Sequence, residues 1–167
     1  MRVAAGFIAL LALAACGQKT PPADVSTAIL SPDGAVDEES DVDLVELPAL
    51  QADLVARAGS DSVYFDTDQS GLDETDRQTL ATHAQWLMAH PNVRASIEGH
   101  ADERGTREYN LALGQRRAQA ALDYLVASGV PASRLLIISW GKERPIGLGS
   151  NESSWSQNRR AVTVIVK

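Results

Sequence analysis

A chain of 167 residues has room for one domain of ordinary size plus extensions, and its 44% apolar content is enough to build a core for it. A net charge of −7 excludes a nucleic-acid binder of the usual basic kind, and the single cysteine excludes an intramolecular disulfide. The charge is uneven: residues 17–52 carry eight acids against Lys19 alone, whereas residues 53–167 carry fourteen acids and thirteen bases.

In chain order, Arg2 precedes an apolar run from Phe7 to Ala15 that ends in small residues before Cys16. As a helix that run spans about 14 Å against roughly 30 Å of hydrocarbon, too short to cross a membrane. Residues 1–15 therefore read as a signal peptide. Residues 16–51 read as a solvated acidic linker, rich in acids and interrupted by Pro21, Pro22, Pro32 and Pro48. A short helix around Leu44 to Leu54 is the alternative for its end. Extended, a linker of this length reaches on the order of 110–120 Å; as a flexible coil it averages about 30 Å.

Residues 52–167 form the expected folded domain. Ala52–Ala58 and Val63–Phe65 are short apolar runs separated by GSDS, which predicts a hairpin or tight connection. Leu80, Ala84, Leu87 and Met88 form the apolar stripe of a helix over 73–89. Val93, Ala95 and Ile97 alternate with Arg94 and Ser96, the period of a strand over 93–99. After the break at Gly105, Thr106 is a natural N-cap for a helix running to Ser128, where Gly129 and Pro131 stop it. Leu135–Ser139 and Ala161–Val166 are unbroken apolar runs, expected as strands inside a helix-covered sheet. This order predicts an α/β two-layer sandwich with two long helices on one face of a mixed sheet.

The chemistry concentrates in GHADERGTREYNLALGQRR at 99–117, where a strand hands over to a helix. Glu98, His100 and Asp102 would share a strand face and suggest a metal-assisted hydrolase, but Gly99 interrupts the run and His83 and His90 belong to another helix. His100 is better read as a structural residue hydrogen-bonded to hold the Asp102 loop. No nucleophile elbow or phosphate loop is present, so neither cofactor, metal nor enzymatic activity is expected. Spacing alone leaves Asp102 and Arg117 as a ligand pair, a structural salt bridge or two solvated charges. Asn110 could bind ligand, orient the loop or cap a helix, and Asp68 could be an Asx-turn residue. Phe65 is expected to pack and Asp66 to order backbone amides. Tyr109, Trp86, Trp140 and Trp155 are expected at the core or rim, with a sugar site as the alternative.

VYFDTD at 63–68, GHADERGTREYN at 99–110, WGKERP at 140–145 and SQNRRAV at 156–162 together resemble the OmpA C-terminal-like, peptidoglycan-binding domains. Trp140 departs from the tyrosine of many relatives. LAAC at 13–16 resembles a bacterial lipobox, which implies a lipid-modified Cys16, and Gly17 implies release to the outer membrane. The resemblance implies that Asp102 accepts from the ammonium of a diaminopimelate stem peptide while Arg117 grips its carboxylate. Asp68, Asn110 and the pair Arg159 and Arg160 match ligand-contacting positions, without sequence separating the two arginines. The implied function is a non-enzymatic tether, lipid-held to the outer membrane with its domain facing the periplasm. The implied partners are peptidoglycan and the periplasmic proteins TolB and TolA, with a role in outer-membrane integrity and in drawing that membrane inward at division. An OmpA-like anchoring module without Tol partners is the alternative.

Overall fold

The computed structural model describes residues 39–167, with side chains from residue 46 onward. The expected signal peptide, Cys16 and most of the linker lie outside the described residues. The described part belongs to one compact unit, Asp37–Lys167. Its elements in order are α1 (Glu39–Ala58), β1 (Ser62–Tyr64), α2 (Glu74–Ala89), β2 (Arg94–His100), α3 (Arg107–Ala127), β3 (Leu135–Gly141), α4 (Glu152–Asn158) and β4 (Arg160–Val166).

α2 and α3 begin where the sequence signals it, and α1 is a third long helix. Asp73 and Asp76 form a reciprocal capping box at the start of α2, and the Thr106 hydroxyl accepts the Tyr109 amide to cap α3. The latter ends at Ser128, after which Gly129 adopts a φ of 103°. Since β2 and β3 are joined through α3 they lie parallel, whereas β4 runs antiparallel to both β1 and β2. The sheet order is β1-β4-β2-β3. Ala95 and Ile97 of β2, with Ala161 and Ile165 of β4, form one core with Leu80 and Leu87 of α2 and Ala118 and Leu125 of α3. The expected two-layer α/β sandwich with a mixed sheet is therefore the observed fold.

Two glycines set the distance between the layers. A Cβ at Gly99 would lie 1.8 Å from the Gly114 carbonyl oxygen, so α3 can rest on β2 only with glycine there. Ser139 of β3 donates to the Leu111 carbonyl at 2.7 Å and fixes the same contact sideways.

The structure departs from expectation in three places. The run 52–58 is not a hairpin strand but the end of α1, and the junction expected between 51 and 52 falls inside that helix. The reason is packing: Leu47, Leu50 and Leu54 share a helical face and join the core. Gln51 adds a polar reason. β1 pairs with only three residues of β4, and beyond it the Gln51 amide donates to Thr163 O at 3.0 Å and accepts from Ile165 N at 2.8 Å. Secondly, β3 is an edge strand, not an interior one, and its Leu136 and Ile138 are 45% and 36% exposed. Thirdly, the segment after β3 contains α4, which is too short to show a periodicity.

Candidate functional site

Asp102 leaves the end of β2 just before the turn at Gly105, whose φ is 86°. This places its carboxylate between two arginines. Arg104 donates from Nε to Oδ1 at 3.1 Å and from Nη2 to Oδ2 at 2.6 Å, while its backbone amide also reaches Oδ1 at 3.1 Å. Arg159 Nη1 lies 3.5 Å from Oδ2. Asp102 is only 7% exposed, and burial alone would push its pKa up. The hydrogen bonds and charge of Arg104, joined by Arg159, outweigh that effect and hold the carboxyl below its ordinary value. The site therefore keeps a shielded but ionised acid.

A cavity of about 240 Å³ opens beside this carboxylate. Thr67 and Asp68 line it from the segment after β1, Asp102, Arg104 and Gly105 from the β2–α3 turn, and Tyr109, Asn110 and Leu113 from the first turns of α3. Asp68 sits in the left-handed region at φ 57°, and its exposed carboxylate accepts from the Tyr109 hydroxyl at 3.3 Å. Asp has a short polar side chain that tolerates this conformation better than most. Asn110 is buried and donates to the Arg104 carbonyl at 2.7 Å, so its amide orients the loop. Outside the turn, Lys142 donates to the carbonyls of Glu103 and Gly105, and Trp155 of α4 donates to Glu103 at 3.0 Å. The Arg104 guanidinium lies over the Trp155 ring, 4.2 Å from its centre.

Arg117 has a different place from the one expected. It is 0% exposed, and its guanidinium donates to Gln69 O at 2.9 Å, His100 O at 2.8 Å and Asp66 O at 3.0 Å. Burial, then the charge of Arg159, pushes its pKa down to about 10, still well above neutral pH. The ion partners of Asp102 are Arg104 and Arg159, and Arg117 fastens two backbone segments, the loop after β1 and the end of β2, behind the cavity. Asp66 contributes its backbone carbonyl to this arrangement, and that oxygen also accepts the Gln69 amide at 3.1 Å.

The adjacent arginines where α4 hands over to β4, Arg159 and Arg160, have different partners. Arg159 is directed to Asp102, and also donates to Phe65 O at 2.9 Å and Glu152 at 2.6 Å. Arg160 lies on the other face of the sheet, beside Tyr64 in the register, and reaches the Arg144 carbonyl. Neither arginine lines the cavity, and of the two only Arg159 contacts Asp102. His100 is also on that second side. Burial, followed by the charges of Arg160 and Arg144, pushes its pKa down to about 3. Its backbone carbonyl, through Arg117, secures the loop; its ring Nδ1 makes no hydrogen bond.

The hydrolase constellation is not assembled. Glu98 accepts from the Trp140 indole at 2.7 Å, Asp102 belongs to the arginines, and no group of three metal-ligating side chains occurs among the described residues. Trp86 is buried and bonded to Asp53, far from any shared aromatic site with Trp155. Arg104 is the cavity-lining residue that spacing did not single out. Its signal is the Asp-x-Arg spacing inside a glycine-terminated turn, where a side chain can fold back on a residue two before it.

The OmpA family model matches residues 64–159, which contain the whole cavity. The chain is 54% identical over 118 residues to a peptidoglycan-associated lipoprotein of Agrobacterium fabrum, spanning 71% of this chain and 66% of that one. To the peptidoglycan-associated lipoprotein of Mesorhizobium japonicum it is 46% identical over 159 residues, 95% of this chain and 88% of that one. The crystal structure of the peptidoglycan-associated lipoprotein from Burkholderia pseudomallei superposes with a TM-score of 0.63 at 46% identity, covering 65% of this chain and 92% of that one. The C-terminal domain of Helicobacter pylori MotB shares the fold at 17% identity and a TM-score of 0.59. Sequence motifs, sheet topology and these likenesses agree, and the chain belongs to the OmpA family.

Proposed function

We propose that this protein binds peptidoglycan without a covalent bond, through stem peptides containing diaminopimelate, and ties it to the outer membrane through an acylated Cys16. The observation that carries the reading is the ionised, shielded Asp102 on the wall of a cavity of about 240 Å³. The end of a diaminopimelate side chain is a zwitterion, and its ammonium needs a fixed carboxylate. Asp102 supplies one, Asp68 adds a second negative charge across the cavity, and Asn110 holds the turn between them. Arg159 and Arg117 support from behind. The names of the relatives point the same way.

The role is linkage, with no bond made or broken. TolB and TolA are the proposed periplasmic partners, and the tether then serves outer-membrane integrity and inward movement of that membrane at division. Full-length protein should co-sediment with purified sacculi. Asp102→Asn, which keeps the side-chain shape and removes the charge, should lower that binding at least tenfold, since a hydrogen bond to a charged group contributes about 1.5–3 kcal/mol. Undiminished binding by this variant would remove Asp102 from the site, and release of soluble muropeptides would replace tethering with hydrolysis. Mass spectrometry of the mature protein should find the N-terminus at an acylated Cys16.

A further inference from the structure

The two edges of the sheet are finished differently. On one side β1 is three residues long, and past it the Gln51 amide occupies Thr163 O and Ile165 N of β4. On the other side β3 is the last strand, with β2 on its inner flank and no strand beyond it among the described residues. Soluble proteins protect such an edge with lysine, proline, a bulge or a very short strand. Over residues 135–139 β3 has none of these, and its register with β2 shifts only at the far end. Leu136 and Ile138 stand opposite Ser96 and Glu98, on the sheet face away from the helices, and both are exposed. An edge of this kind is the substrate of strand addition, in which main-chain hydrogen bonds supply affinity and alternate side chains supply specificity.

The ends of the strand select the segment. Arg134 precedes β3 and donates to the carbonyls of Leu87, His90 and Val93. After β3 come Lys142, which donates to the carbonyls of Glu103 and Gly105, and the exposed Arg144. None of these three cations forms an ion pair among the described residues. Glu143, between the last two, pairs with Arg107. A second copy of the chain would pair antiparallel about a two-fold axis and set Arg134 of one against Lys142 and Arg144 of the other, and like charges so placed are destabilising. An acidic segment meets cations at both ends instead. We propose that the β3 edge takes up an extended segment of a partner protein, apolar at its centre and acidic at its ends, as a fifth strand of the sheet.

Arg144 is prepared for that role. Its guanidinium lies over the Trp140 ring, 3.4 Å from the centre, and the Trp140 indole is fixed to Glu98 at 2.7 Å. A guanidinium held flat in this way presents its fork to a carboxylate with little rotamer entropy left to lose. The surface is separate from the cavity, none of whose lining residues belongs to β3.

Three fluorescein-labelled peptides test this against full-length protein by anisotropy. The first is Asp-Glu-Val-Thr-Val-Thr-Val-Asp-Glu, the second has lysine for all four acids, and the third has proline for the middle valine. The first should bind at least about tenfold more tightly than either of the others, because the second meets like charge and the third cannot complete the ladder. Its binding should slow hydrogen exchange at the amides of residues 135–139. Arg144→Glu, a change at an exposed side chain that should leave thermal unfolding unchanged, should weaken the acidic peptide by about fivefold or more and strengthen the lysine peptide. Sacculus binding by this variant should equal that of the native protein. Absence of binding by the acidic peptide up to about 1 mM, equal binding of all three peptides, or unaltered exchange at residues 135–139 in the bound state would each overturn the proposal. Dimers of the full-length protein that protect the same amides without peptide would also overturn it, and would give the edge to a second copy of the chain.

Discussion

Arg117 illustrates how a residue's position can be legible in sequence while its contacts are not. The motif places it behind the strand-to-helix turn, but its donors go to three backbone carbonyls, two in the segment after β1 and one at the end of β2. Arg117→Met should therefore destabilise the domain by about 3 kcal/mol or more in urea unfolding, because buried acceptors lose charged donors. Asp102→Asn should be milder in that measurement and more severe in sacculus binding. Sequence could not divide these roles, since a guanidinium fork suits a loop of bare carbonyls as well as it suits a carboxylate. Arg159 and Arg160 were unresolvable for a similar reason. One ends α4 and the other begins β4, and only the tertiary contacts say which of them meets Asp102. His100 supplies a pH dependence. Its folded pKa of about 3 lies below the ordinary 6.5, so the unfolded chain binds more protons in between. Stability is thus lost as pH falls from about 6.5 toward 3, by up to about 1.4 kcal/mol per pH unit from this residue. Unfolding midpoints of His100→Leu measured at pH 7 and pH 5 should differ less than those of the native protein.

At the scale of elements, α2, β2 and α3 were legible because each has a clear period and a stop or cap in the right place. The end of α1 was legible only as an alternative, the short helix around Leu44 to Leu54, which lies inside it. Pro48 and the surrounding acids resemble a linker, and the reason for the helix is its fit to β4, which local sequence does not contain. Gln51→Ala removes two hydrogen bonds to that strand and should cost about 1–2 kcal/mol in thermal or urea unfolding. The edge position of β3 was hidden by its composition, because Leu-Leu-Ile-Ile serves a buried strand equally well. α4 offered only seven residues. Gly114 has a role that its sequence neighbours conceal: an added Cβ would lie 2.5 Å from the Ser139 hydroxyl and 2.8 Å from the Gly99 carbonyl. Gly114→Ala should push α3 off β2 and destabilise by about 1–3 kcal/mol, read in the same unfolding experiment.

For the molecule as a whole, the boundary of the stable unit is a measurable quantity. A chain beginning at residue 52 would lack Leu47, Leu50 and Gln51, and should unfold about 2–4 kcal/mol more readily than one beginning at Asp37. Equal stability of the two would show that α1 contributes nothing before residue 52. The attachment of α1 has a mechanical consequence. A pull exerted on the chain ahead of this helix enters the sheet through Gln51 at the open side of β4, and enters α2 through the Asp53 to Trp86 hydrogen bond of 2.7 Å. β1, only three residues long, is not the first to yield. Tension is met instead by a clasp of leucines and one amide, some distance in sequence from the turn that carries Asp102, so under the proposed tethering strain at the anchored end can rise before the proposed hold on the wall is disturbed.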